Sequence, residues 1–496
     1  MTFLSRRSAL GGLVAIGAGA LLPGTAQASG TGRRHATPQA ALQQEGPPQL
    51  DIRTLLPGTA PGLLFLTPQG FAAPTTPRGP QIVDNKGRML WFRQIPNGTF
   101  AADFRVQTYR GRPVLTWWEG TAGAGGIGDG VCHIADPAYD IVATVRTPTP
   151  DGRLDLHEFL LTPEDTALIL TYREVPHDLT PVGGPADGTV WDCIVQEIDV
   201  ASGAAVREWH SVDHVAVEES ESQFRPGTGA FDYFHANAVS LDVDGNLLIS
   251  GRLTSTVYKV DRVTGDVIWR LGGRNSDFQL GAGTRFTGHH DAETEGGNVY
   301  RVFDNATLGA GPGGKSRIVR LRADPDLGTA TLLDELTHPD VLTVAAEGGT
   351  QRLPNGNMMV SWGHASRVSE FSPGGKLLFD GTYEPGISSY RAYRFTWRGR
   401  PADPPRVTAD RTSGDVHAIW NGATGVAAWR VLGGDAHARF GAVARVPWNG
   451  LDTAVPLPDS VRRDIGHVQV QALDERGKVI GTSPVTAWDD AIAGAG

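Results

Sequence analysis

Short runs of alternating apolar and polar residues, broken by Gly, Pro, Asn or Asp, dominate this chain. A period of two predicts half-buried β-strands, and turn residues between two such runs predict hairpins. One hairpin type recurs. It reads GPQIVDNKGRMLWFRQI from Gly79, VCHIADPAYDIVATVR from Val131 and CIVQEIDVASGAAVREW from Cys193. It returns as VYKVDRVTGDVIWRL from Val257, RIVRLRADPDLGTATLLDEL from Arg317 and RVSEFSPGGKLLFDGTY from Arg367. A second hairpin type lies between these copies, as in LHEFLLTPEDTALILTY, HANAVSLDVDGNLLISGR and HDAETEGGNVYRVFD.

Spacing of roughly 50–60 residues between copies suits four-stranded propeller blades. Pairing the two hairpin types gives five full blades, with strand A innermost. A sixth closes when GLLFLTPQG near Leu63, or RAYRFTW near Arg391, joins the first outer hairpin. Closure of this kind removes an open sheet edge. The fold class expected is therefore all-β: a six-bladed β-propeller over residues 51–398. A pair of sandwiches or a β-solenoid are the competing architectures. The pattern changes at the Pro-rich RGRPADPP, and short strands around an early Trp predict an immunoglobulin- or fibronectin III-like β-sandwich over residues 399–496.

Composition narrows the function. With 64 Gly and 33 Pro the chain favours many turns over long helices. A net charge of −10 with no basic run beyond the first residues excludes a nucleic-acid binder, which needs a cationic stripe. Ser5-Arg6-Arg7 followed by an apolar run to Leu22 and by Ala26-Gln27-Ala28 predicts a twin-arginine signal peptide over residues 1–28, then a flexible linker over 29–50. The mature protein is expected to be secreted or held at the cell envelope, with no membrane span. Two cysteines, Cys132 and Cys193, are placed too far apart for a disulfide's ~5.5–6 Å Cα separation, so free buried thiols are expected.

Topology turns phase into geometry. The start of strand A and the B–C connection of each blade meet at one mouth of the central channel. His157, His235 and His290 all fall at the start of a strand A. Arg252, Asn305 and His364 fall near the ends of strands B. Three successive blades thus aim imidazoles at one mouth, beside a guanidinium. A lone strand histidine is ordinarily a surface or hydrogen-bonded core group; recurrence at one phase argues for a site. His133, His177, His210, His214, His338 and His417 fall at other phases and are expected at the surface. Neutral imidazoles suit either metal binding or covalent catalysis. No HExxH or cysteine-pair spacing supports a metal, and no phosphate loop or dinucleotide fingerprint supports a nucleotide donor, so no cofactor is implied.

These motifs, FHANAVSLDVDGNLLISGR, TGDVIWRLGG, TGHHDA and FDN, resemble the PAPS-independent arylsulfotransferase family in its actinobacterial and fungal branch. The resemblance runs from about Leu63 to Trp397. It implies transfer of a sulfuryl group from an aryl sulfate to a phenol, both small molecules, through a sulfohistidine. By motif it implies His290 as nucleophile, His235 and Asn237 as ligands of the sulfuryl oxygens, Arg252 as charge stabiliser and His157 as the carrier of the phenolic proton. A second alignment brings in His364 or Arg317, and Asn305 joins them as a candidate substrate-binding group. Enterobacterial relatives carry an N-terminal sandwich and a short-range disulfide; this chain has neither and adds a C-terminal sandwich. A non-catalytic exported propeller, and a metal-dependent hydrolase or lyase on the same scaffold, are the alternatives.

Overall fold

The computed structural model describes residues 46–70, 77–308, 314–410, 413–435, 440–488 and 491. The expected signal peptide and all but the last five residues of the expected linker lie outside the described residues. What is described is almost wholly antiparallel β-structure. Six sheets fill the span from Asp51 to Phe395, and each begins with an inner strand. In chain order these are β1 (Phe100–Tyr109), β2 (Arg153–Leu161), β3 (Ala236–Leu241), β4 (His290–Gly296), β5 (Gly349–Arg352) and β6 (Ile387–Phe395). Three further strands follow each of β1 to β5 by hairpins, as the alternating pattern requires.

The sixth sheet is made from both ends of this span. Leu63–Gly70 pairs with β6 on one side and with Gln81–Val83 on the other, so both candidate closing segments are used. Asp51–Leu55 adds a fifth strand to the outer edge of the β5 sheet. Each inner strand touches the next, and β6 touches β1, so the inner strands form a closed cycle. They belong to different hydrogen-bonded sheets, which distinguishes this cycle from a β-barrel.

Between each pair of neighbouring sheets lies one apolar cluster. Trp118, Ile134, Phe159 and Ile169 fill the gap between the β1 and β2 sheets. Tyr172, Val195, Phe234 and Ile249 do so between β2 and β3. Phe65, Trp91, Phe104 and Trp117 close the cycle between β6 and β1. Burial of this kind stabilises by roughly 25 cal/mol per Å² of apolar surface removed from water, and no sheet could bury its faces alone. Cys132 and Cys193 are buried and unpaired.

Five of the six inner strands bulge against their hairpin partners. The extra residues are Asp103–Phe104 in β1, Asp155–Glu158 in β2, Asn237 in β3, Asp291–Ala292 in β4 and Tyr390–Arg391 in β6. Bulges re-aim side chains out of the regular alternation. Here they turn acidic, amide, imidazole and guanidinium groups inward, and Asp103, His235 and Asp291 take positive φ values of 53°, 52° and 54° to do so.

Residues 406–487 form two further sheets around a separate cluster containing Trp429, Val431 and Val470. They cover the edge strand Met89–Phe92. Asn421 exchanges two hydrogen bonds with the backbone of Phe92, at 2.8 and 3.0 Å, as a neighbouring strand would. Leu451 N–H donates to Met89 O at 2.6 Å. Gly422, at φ 93°, leaves no room for a Cβ, which would sit 2.3 Å from the Tyr139 ring. One expectation fails beside the β5 sheet: His338 is 2% exposed, not a surface group. Its ring is enclosed by Trp362 and Phe371, with Asp380 3.4 Å from Nε2.

Candidate active site

His290 opens β4, and its Nδ1 is 2.7 Å from Asn305 Oδ1, one hairpin later. The Asn305 amide nitrogen donates to Val344 O and Glu347 O, at 3.1 and 2.9 Å. Its oxygen therefore faces the imidazole, and Nδ1 must carry the proton. That leaves the lone pair on Nε2, which accepts the Glu347 N–H at 3.3 Å. Burial, and after it the charge of Arg252, hold the His290 pKa well below 6.5. The ring is neutral at pH 7, with Nε2 as its basic atom.

His157 and His235 are fixed in the same way. Each places Nδ1 against a carboxylate a few residues upstream: His157 against Asp155, and His235 against Asp232 at 2.6 Å. Asp155 also accepts the Gly128 N–H at 2.6 Å. His157 lies within β2, in the bulge, rather than at the strand's start. Burial lowers its pKa in spite of the Asp155 charge. The His157 ring stands edge-on to His235 at 5.0 Å and to Tyr390 at 5.5 Å.

Arg252 follows the strand Leu247–Gly251, and its N–H is tied to His235 O at 3.0 Å. The guanidinium makes no hydrogen bond or ion pair among the described residues, and its Nε is buried. Its charge acts on His289, His290 and His364. Asn237 donates to His289 O at 2.7 Å, while its own Oδ1 is buried without a partner. His364 lies at the rim, its side chain 39% exposed, with Nε2 3.4 Å from Glu347 Oε1. That contact raises its pKa. Arg317 stands apart from the group. Its guanidinium is taken up by Asp304 at 3.0 Å, by Glu335 and by Arg285 O at 2.8 Å.

The fold thus brings together His157, His235, Asn237, Arg252, His290, Asn305 and His364, and leaves Arg317 in a structural ion pair. Sequence reasoning missed Glu347, Tyr390 and the two carboxylates. Asp155 and Asp232 carry a legible signal, an Asp two or three residues before each His. Glu347 and Tyr390 carry none, since only closure of the cycle brings them near. The doubled His289-His290 also resolves: His289 points into the core against Phe286, 4.7 Å away, and burial lowers its pKa to about 3.

Next to the histidines the channel is filled by paired charges. Arg391 meets Glu158 at 2.9 Å, Asp103 at 3.3 Å and Asp291 at 3.5 Å; Arg105 meets Asp103 at 2.9 Å and also Glu158. A cavity of about 980 Å³ opens at the opposite end of the inner strands, lined by Glu293, Glu295, Arg301, Arg352 and Tyr393 among others. Volume alone would put a ligand there. The polar groups argue otherwise, because Glu295 already holds Arg301, Arg320 and Arg352 within 2.9 Å. Among the described residues no group of three or more His, Cys, Asp or Glu is arranged to hold a metal ion. Nor, among them, is any helix long and apolar enough to cross a membrane.

Solved structures give distant likenesses. A Bacteroides caccae protein of unknown function is 10% identical, covering 67% of this chain and 98% of its own, with a TM-score of 0.41. The Pseudomonas aeruginosa periplasmic gluconolactonase is 12% identical, covering 80% and 99%, at 0.37. Virginiamycin B lyase from Staphylococcus aureus, solved with quinupristin, is 10% identical, covering 80% and 98%, at 0.32. Residue roles do not transfer at such distances. No curated protein matches the sequence. The family model Arylsulfotransferase (ASST), by contrast, matches residues 105–384, which include all four clustered histidines and Arg252. With more than half of its length matched, this chain belongs to the arylsulfotransferase family.

Proposed function

We propose that this protein moves a sulfuryl group from an aryl sulfate to a phenol through a sulfohistidine on His290. The observation that carries the reading is the Arg252 guanidinium: half-buried, without a hydrogen bond or ion pair among the described residues, and set beside the neutral His290 imidazole. A buried charge without a partner is costly, and a bound anion would satisfy it. In the first half-reaction the His290 Nε2 lone pair forms the N–S bond. The S–O(aryl) bond breaks, its electron pair goes to the departing oxygen, and protonated His157 supplies that oxygen's proton. Neutral in the free protein, His157 takes up this proton from solvent as the anionic donor binds. The Nδ1–H donated to Asn305 Oδ1 then steadies positive charge on the sulfated ring. In the second half the acceptor phenol gives its proton to neutral His157, its oxygen takes the sulfur, and the N–S electron pair returns to Nε2. Arg252 balances the sulfuryl charge throughout, as a fixed cation does in a transition state of developing charge.

The same reading takes the six sheets as blades of one propeller, supported by the closed cycle of inner strands. The two C-terminal sheets are read as a β-sandwich braced against the closing blade, and residues 1–28 as an export signal that carries the protein to the envelope or beyond. Intact mass spectrometry after incubation with para-nitrophenyl sulfate tests the chemistry. One SO₃ should be added to the wild type, be discharged by a phenol and be absent from His290→Ala. Tight donor binding with no added mass would leave a ligand-binding propeller in place of the enzyme.

A further inference from the structure

Glu347 makes more contacts with the site than any role implied by the family motifs requires. It is 8% exposed and sits at φ 67° just before β5. Gly348 follows at φ 110°, where a Cβ would lie 2.6 Å from the Phe303 ring. The backbone is thereby locked in a tight approach to the strand Val299–Asp304 that follows β4. Glu347 N–H reaches His290 Nε2 at 3.3 Å, and Glu347 O accepts from the Asn305 amide at 2.9 Å. Its carboxylate Oε1 faces His364 Nε2 and accepts from Gln69 Nε2, both at 3.4 Å, while Oε2 is buried without a partner. One residue therefore touches the nucleophile, the group that fixes its tautomer, and the histidine at the rim.

We infer that Glu347 is a positioning residue with two tasks: its main chain orients His290 and Asn305, and its carboxylate holds His364 as a rim cation that captures the anionic aryl sulfate donor. This rests on the sulfuryl-transfer reading and extends it to donor recognition. Arg252 alone offers the donor a cation inside the site; His364, held at the rim by an acidic partner, offers a second along the way in. Glu347 favours the protonated form and Arg252 opposes it. The strand β6, packed against the Gly363–Ala365 turn, carries Tyr390, Tyr393, Arg391 and Arg394. Of these, Arg391 is tied to Glu158, Asp103 and Asp291, and Arg394 to Glu370 at 3.0 Å. A histidine whose pKa is raised is cationic below that pKa and loses its charge as pH rises through it, so donor capture should weaken on the alkaline side.

The test is the pH profile of kcat/KM for para-nitrophenyl sulfate in wild type, His364→Gln and Glu347→Gln, paired with calorimetric binding of inorganic sulfate. Wild-type kcat/KM and sulfate affinity should fall as pH climbs past the raised His364 pKa. His364→Gln should lose this limb and bind about tenfold more weakly at the acid end, the size of one charge-assisted contact. Glu347→Gln should move the limb to lower pH, because the carboxylate that favours the protonated imidazole is gone. An unaltered limb in His364→Gln, or unaltered acid-side sulfate affinity, overturns the proposal. Should the wild type add no SO₃ from any aryl sulfate, the sulfuryl-transfer reading fails, and the sulfate isotherms still decide the role of His364.

Discussion

The two ends of the inner strands are built from similar residues and differ in how fully their polar groups are satisfied. At the histidine end, among the described residues, Arg252 has no ion-pair partner and Asn237 Oδ1 and Glu347 Oε2 are buried without hydrogen bonds, while burial lowers the pKa of His157 and His290. Between the ends, and at the opposite one, guanidinium and carboxylate answer each other: Arg391 with three acids, Glu295 with three arginines. A paired charge cluster gives a channel its rigidity but has little left to offer a ligand. Unpaired groups cost stability and persist where a ligand repays them. The 980 Å³ cavity and the histidine cluster are therefore different places.

That contrast can be broken by substitution at either end. The largest effect is expected from His290→Ala, which should lower sulfuryl transfer by about a thousandfold or more while the melting temperature scarcely moves; retained turnover would show that another group carries the sulfur. Arg391→Met should do the reverse. It leaves Asp291 without a cation and Glu158 and Asp103 with Arg105 alone, and should cost about 3–5 kcal/mol in denaturant unfolding. Arg252→Met should cut kcat/KM by about 10²–10³ and leave stability unchanged or higher, since an unpaired buried charge is removed; a large loss of stability would mean that Arg252 is structural after all.

Acidity sharpens the comparison further. Protonating His290 removes its lone pair, and its pKa is depressed below 6.5, so the acid limb of kcat should fall well under pH 6.5. A midpoint at or above 6.5 would mean a more exposed ring. The smallest effect is reserved for the C-terminal sheets. Asn421→Ala deletes two hydrogen bonds to the Met89–Phe92 edge and should cost roughly 1–3 kcal/mol in unfolding with kcat/KM intact.

Much of this was readable along the chain. Hairpin turns, strand phase and the fall of His157, His235 and His290 toward one mouth follow from alternation and turn residues. So does Arg252 beside them. Two readings went astray for a common reason. His338 was expected at the surface because its blade phase gave it no role, yet Trp362 and Phe371 enclose it. Arg317 was grouped with the site by motif, and its neighbour Asp304 claims it.

Short-range pattern by itself determined the all-β character, the repeating unit and the face each histidine seeks, because turn chemistry and the two-residue period act within a few residues. Only the closed tertiary structure decided which polar groups find partners. Asn305 reaches His290 across 15 residues, Glu347 across 57, and Arg391 reaches Asp103 across 288. Whether a buried charge is answered depends on such distant encounters, and no local pattern encodes them.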